Sequence, residues 1–200
     1  MAGWALALMG FFLVLAFGVR VAVALRTTGS SGISSIGSAP AIELFGGGMF
    51  AAATVLGGVN PLLAVLDVVE PWDELDTTAV HVAGFVLCGI GIAGTFVAQM
   101  AMGSSWRIGV DPDERTELVT GGVFQLCRNP IYTFMIIALL GFALLVPTWL
   151  VLAAGVLLIA GLQIQVRLVE EPHMIRTHGE PYLAWGRRVG RFLPGLGRLD

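Results

Sequence analysis

At 200 residues, 56% of them hydrophobic and only 12% charged, with a mean hydropathy of +0.84, the chain is too apolar for an ordinary soluble domain and reads as an integral membrane protein. Its net charge of −3 gives no sign of a nucleic-acid partner, and no basic patch interleaved with aromatic residues suggests one.

A spanning helix needs roughly 20 mostly apolar residues. Five windows come close or qualify: about Gly3 to Leu25, Ala41 to Leu66, Ala79 to Met102, Ile131 to Val146 and Thr148 to Val166. The first is too long for the apolar region of a signal peptide and lacks a small-residue cleavage site, so it is taken as a span. Residues 29–40, GSSGISSIGSAP, read as a flexible Gly/Ser connector. Asn60 and Pro61 lie near one end of the second window and read as a kink or a helix end. The third window carries Gly84, Cys88, Gly91, Thr95 and Ala98 at helical spacing, a stripe of small residues that lets another helix approach closely. The last two windows are short and meet at Pro147, which predicts a tight helical hairpin.

All eleven basic residues are arginines, confined to Arg20 and Arg26, Arg107 to Arg128, and Arg167 to Arg198. The remaining loop, DVVEPWDELD from Asp67 to Asp76, has five acids and no base. The excess of basic residues in cytoplasmic loops then predicts five crossings, with the N-terminus outside and the C-terminus cytoplasmic. Cys88 and Cys127 fall at different depths in this arrangement and read as packing residues rather than a disulfide. The spans contain no acid or base near their middles, only Gln99, Gln163 and Gln165 toward the cytoplasmic ends, which argues against a transporter.

Polar residues concentrate in 103–132 and 167–194, two stretches that flank the hairpin and therefore meet at one end of the bundle. Asn129-Pro130 suits a helix start, with Asn129 as cap and Pro130 in the first turn. Arg167, Glu170 and Glu171 are spaced to share one helix surface, and Pro172 is expected to end or redirect that helix. Pro181 opens a short amphipathic helix with Tyr182, Trp185 and Val189 on one face and Arg187, Arg188 and Arg191 turned to water or phosphate groups. His81, on the opposite membrane side, reads as structural. No metal-ligand cluster or Ser-His-Asp arrangement is evident.

In order along the chain, LVTGGVFQLCRNPIYTF, a short hairpin, RLVEE, HGEPYLAW and VGRFLP resemble the isoprenylcysteine carboxyl methyltransferase and phospholipid methyltransferase superfamily of membrane enzymes over residues 116 to 194. The resemblance implies a single all-helical membrane domain, with three N-terminal spans in 1–102 and a methyltransferase-like region in 103–200. It implies S-adenosylmethionine as donor, bound on the cytoplasmic side, and a lipophilic acceptor or lipid arriving from the bilayer. Thr120 and Gly122 match the LVTxG element, Arg128, Asn129, Pro130 and Tyr132 the R-[HN]-P-x-Y element, and Arg167, Glu170 and Glu171 the Arg and Glu pair. Tyr182 matches the first Tyr of the tail. Arg167, Glu171 and Arg128 are thereby the candidate catalytic residues, and Thr120, Gly122, Asn129, Pro130, Tyr132, Glu170, Glu171 and Tyr182 the candidate cofactor-binding set. Asn129 replaces the His of carboxyl methyltransferases, Phe134 a common Gly, and His178 and Trp185 a Phe and a second Tyr.

Methyl transfer from a sulfonium is an in-line displacement that asks a protein mainly for orientation and charge. A carboxylate of Glu170 or Glu171 suits the donor's ammonium or ribose, and a guanidinium of Arg167 or Arg128 suits a carboxylate. Tyr132, Tyr182 and Trp185 suit adenine or, by cation–π attraction, the sulfonium. His173 or His178 is needed as a base only for an amine or thiol acceptor. A phospholipid amine or small thiol is an alternative to an isoprenylcysteine-type carboxylate. Membrane sterol-type reductases, which bind a nicotinamide cofactor, resemble the same C-terminal region but are much longer, with about twice as many spans. A non-enzymatic membrane scaffold is the third alternative. Glu171→Gln is expected to weaken donor binding and leave the fold intact.

Overall fold

The computed structural model describes residues 1–33, 40–109 and 116–200. Part of the Gly/Ser connector (34–39) and part of the polar loop (110–115) lie outside the described residues.

Among the described residues, four helices are long and apolar enough to cross a membrane: α1 (Ala2–Thr28), α2 (Ala41–Val65), α3 (Thr78–Ala101) and, after α4, α5 (Trp149–His178). The fourth in chain order, α4 (Pro130–Leu145), is equally apolar but has 16 residues. At 1.5 Å per residue it rises about 24 Å, short of a bilayer core of roughly 30 Å. A short α6 (Glu180–Gly186) follows. Described residues contain no strand, only isolated bridges.

Pro147 does join α4 to α5 through a three-residue turn, yet the two arms of this hairpin touch each other less than they touch older neighbours. α4 lies along α3, and α5 along α2. The small-residue stripe explains the first pairing. A Cβ on Gly91 would run into the backbone of Ala138, and one on Gly141 into that of Cys88. Where lipid supplies no hydrophobic drive between helices, such close approach is the main source of packing energy. Cys88 and Cys127 are both free and buried.

Two local expectations change. Pro61 lies inside α2 rather than at its end, and Asn60 is 1% exposed. Its Nδ2 donates to Val146 O at 3.0 Å and its Oδ1 accepts from Thr148 Oγ1 at 2.6 Å, so it ties α2 to the α4–α5 turn. The acidic loop closes the same end, with Trp72 N donating to Pro147 O at 3.0 Å and the Trp72 and Trp149 rings edge to face at 5.0 Å. His81 also sits at that end, 3.3 Å from Asp76. Lastly, Pro172 does not stop α5. The helix widens into a π stretch over Gln165–Glu170 immediately before the proline and then continues to His178. Such a stretch absorbs the missing N–H and the ring's clash with the preceding turn. Gly179, with φ 59, ends the helix instead.

Candidate functional site

Arg128, Asn129 and Pro130 stand where the loop after α3 turns into α4, and they do more than start a helix. Pro130 occupies the first turn as expected, but the Asn129 side chain caps nothing. Its Nδ2 donates to Arg191 O at 3.1 Å, an oxygen that also accepts from Asn129 N at 3.0 Å. Arg128 N donates to Gly190 O at 2.8 Å, and Thr133 Oγ1 to Phe192 O at 2.7 Å. The tail is thus stitched edge-on to the start of α4. Gly190 has to be glycine, since a Cβ there would collide with the Leu193 carbonyl.

The Arg128 side chain, 4% exposed, completes this clasp. Nη1 donates to Gly186 O (3.0 Å) and Val189 O (2.6 Å), and Nη2 to Gly197 O (3.1 Å) and Glu171 Oε1 (2.5 Å). Arg191 grips the same carboxylate from the other side in a two-pronged contact, Nε to Oε1 and Nη2 to Oε2, both 2.8 Å. One carboxylate therefore joins two guanidiniums, and hydrogen bonding to Glu171 raises the Arg191 pKa. Arg191 is the residue that sequence reasoning placed on the wrong face. Its signal was present in the RFLP closing element, but the neighbouring Arg187 and Arg188, which are exposed, made all three look like a surface stripe.

Above the clasp lies a cavity of about 170 Å³. One wall is the 3-10 turn and the residues around it, from Met102 through Ser105 to Arg107, a second is Thr116 to Val119, and Ser105 Oγ donating to Glu117 O at 3.1 Å joins them. Glu170, His173 and Met174 of α5 form the third wall, Arg128 and Asn129 the floor, and Tyr182 and Trp185 of α6 the far side. The Tyr182 and Trp185 rings meet edge to face at 5.7 Å and pack with Phe124 in a small core. Burial, reinforced by the Glu171 charge, pushes the Tyr182 phenol up to about 12, against the opposing pull of Arg128. Among the described residues, Trp185 Nε1 and Arg128 Nε, buried donors on lining residues, have no hydrogen-bond partner. A second, apolar cavity of about 50 Å³ lies deeper, between α1, α2, α4 and α5.

The predicted residues divide accordingly. Arg128, Asn129, Glu170 and Tyr182 line the cavity, and Glu171 lies beside it, enclosed by arginines. Tyr132 approaches from the opposite side: its ring packs against the apolar cluster of Ala53, Leu158 and Leu162, and its hydroxyl donates to Glu170 Oε1 at 2.7 Å. Glu170 thereby bridges the apolar interior and the cavity. Thr120 and the exposed Gly122 sit just past the lining, with Gly122 (φ 58) turning the chain toward Phe124. Arg167 is exposed and has no hydrogen bond or ion pair among the described residues, so the structure does not bring it to Glu170 and Glu171. It lies on the outward face of the π stretch that runs to Glu170, so a spacing argument built on regular α-helix fails there. His173 lines the cavity, 3.3 Å from Thr177 Oγ1, whereas His178 lies outside the lining.

The protein is similar to a nickel-cobalt-cadmium resistance protein, NccN, of Alcaligenes xylosoxydans xylosoxydans, with 25% identity over 136 residues. That stretch is 68% of this chain and 60% of the relative, so the chain spans well under two thirds of the curated relative it matches. Its fold resembles the eukaryotic intramembrane Ras methyltransferase, isoprenylcysteine carboxyl methyltransferase, at a TM-score of 0.67 and 18% identity, covering 99% of this chain and 67% of that one. At that identity the likeness is one of fold. The pattern of phospholipid methyltransferases matches residues 79–181, more than half of the chain and including α3, α4, α5 and the clasp residues Arg128 and Glu171. It overlaps the stretch whose motifs carried the resemblance, and the chain belongs to the phospholipid methyltransferase family.

Proposed function

We propose that the chain transfers a methyl group from S-adenosylmethionine to a lipophilic, membrane-borne acceptor at the end of the bundle formed by α5 and α6. The observation that carries this reading is the cavity itself: a polar chamber in which Trp185 Nε1 and Arg128 Nε are buried without a partner among the described residues, at the mouth of an otherwise apolar helix bundle, in a chain of this family. Those donors fit a ligand rich in acceptor atoms, such as an adenine ring or an amino-acid carboxylate. Asn129 and Glu170 suit the donor's amino group or ribose, and Tyr182 and Trp185 its adenine. Arg107 suits its carboxylate. At about 170 Å³ the cavity is below the roughly 300–1,000 Å³ of drug-sized ligand pockets, so it encloses part of a donor rather than the whole of one.

When bound, the donor supplies an electrophilic methyl on sulfur. The chain's residues orient the partners and exclude water. With its phenol pushed up to about 12, Tyr182 is a hydrogen-bond donor at working pH and not a base. His173, which lines the cavity, suits the base that an amine or thiol acceptor needs, whereas a carboxylate of the isoprenylcysteine type, or a related isoprenoid or lipid acid, needs none. Arg167, exposed on the outward face of the π stretch, suits a charged acceptor group better than the donor. The arginines cluster toward the cavity end and the five acids of Asp67 to Asp76 at the other, which supports five crossings with the N-terminus outside and the site cytoplasmic.

Thermal unfolding of the detergent-purified protein tests the reading. S-adenosylhomocysteine at a hundred times its dissociation constant is expected to stabilise by about 2.7 kcal/mol. A shift with NADPH alone would favour the reductase alternative, and no shift with either would leave a scaffold.

A further inference from the structure

The largest fully buried side chain is Arg20, 1% exposed and on α1, outside the region matched by the family pattern. A guanidinium buried inside an apolar bundle calls for a carboxylate, and among the described residues Arg20 has none. Instead Nη2 donates to Gly103 O, and the guanidinium carbon lies 4.6 Å from the centroid of the Trp106 ring. Both contacts fall on the short turn that leaves α3, where Gly103 adopts φ 54. That turn has two sides. Gly103 O and Trp106 face α1, while Met102, Ser105 and Arg107 line the 170 Å³ cavity.

Neighbouring contacts hold the same arrangement. Gln99 Nε2 donates to Ala16 O at 3.0 Å, one turn from Arg20 on α1, and Ile108 N donates to Gly32 O at 2.7 Å beyond the end of α1. Gly32, with φ 71, packs so closely that a Cβ would stand 3.1 Å from the Trp106 ring. α1 and the residues after it therefore form a cradle for Trp106, and Arg20 is its charged member.

We infer that Arg20 is a positioning residue for the donor cavity: it acts through Gly103 O and the Trp106 ring to hold the wall that carries Ser105 and Arg107. This rests on the functional reading above for what the cavity binds, but not for the wall it fixes. The first span then has a role in ligand affinity although it contributes no side chain to the lining.

The test compares Arg20→Met, Arg20→Lys and Asn60→Leu, the last removing a buried polar link at the far end of the bundle. Amide hydrogen exchange of residues 103–109 in ligand-free protein is expected to rise in Arg20→Met, to recover in part in Arg20→Lys, and to stay at the wild-type level in Asn60→Leu. S-adenosylhomocysteine affinity should fall about tenfold in Arg20→Met, as expected for loss of one charge-assisted hydrogen bond, and change little in Asn60→Leu even if both variants melt earlier. Unchanged exchange at 103–109 in Arg20→Met overturns the inference, and so does an equal affinity loss in Asn60→Leu. If wild type binds no S-adenosylhomocysteine but exchange still rises in Arg20→Met alone, the functional reading falls and the positioning role stands.

Discussion

The two ends of the bundle both bury polar side chains, and they do so differently. At the acidic-loop end, Asn60 and Thr148, 1% and 4% exposed, satisfy each other and the Val146 carbonyl with neutral hydrogen bonds, and neither lines a cavity described here. At the other end Glu171, Arg128 and Arg191 place one negative and two positive charges beneath a polar cavity. Cross-linking helices therefore needs no charge in this fold. Buried ion pairs cost as much in desolvation as they return in attraction, so their presence at one end only points to what that end must shape.

The largest effect is expected from breaking the clasp. Glu171→Gln leaves two buried guanidiniums sharing a neutral partner, and removing one member of a buried ion pair costs about 3–5 kcal/mol. The sequence alone suggests a variant with weaker donor binding and an intact fold. With both carboxylate oxygens held by arginine, the expected result is a released tail, read as a lower melting temperature and new proteolytic cleavage after Arg187 or Arg188. Wild-type resistance of the tail in this variant would return Glu171 to a purely ligand-binding role. Asn60→Leu is the matched test at the neutral end. It takes the acceptor from the Thr148 O–H and the amide donor from the Val146 carbonyl, at a cost of about 1–3 kcal/mol. Donor affinity should not change, and a parallel loss of it would erase the distinction between the ends.

Much of the fold was legible because apolar length and small-residue spacing are local signals. Gly84, Cys88 and Gly91 identify the face of α3 that α4 covers, and Pro147 marks the turn. What was not legible depended on long-range pairing. Nothing near Asn60 in sequence says that its partner is Thr148, and nothing near Arg191 says that it faces Glu171. The reach of Arg128 was legible as a motif but not as a clasp, because most of its acceptors are tail carbonyls, which every residue type provides. Arg167 failed for the opposite reason: its spacing to Glu170 and Glu171 was correct for an α-helix, and that stretch is a π-helix.

The smallest effect on stability, and the sharpest on function, is expected at Trp185. Trp185 is 6% exposed and its ring packs on Tyr182, while its indole Nε1 is buried without a partner among the described residues. An unmatched buried donor destabilises a fold, so Trp185→Phe removes a liability along with some packing, and the net change should stay within about 1 kcal/mol. If the indole N–H instead serves a ligand, the same variant should bind S-adenosylhomocysteine about tenfold more weakly while melting near the wild-type temperature. Trp185→Phe thus separates the clasp, where charge holds the tail, from the cavity wall, where a donor is held open for something else. Equal affinity in the variant and the wild type would make Trp185 part of the packing around Phe124 and nothing more.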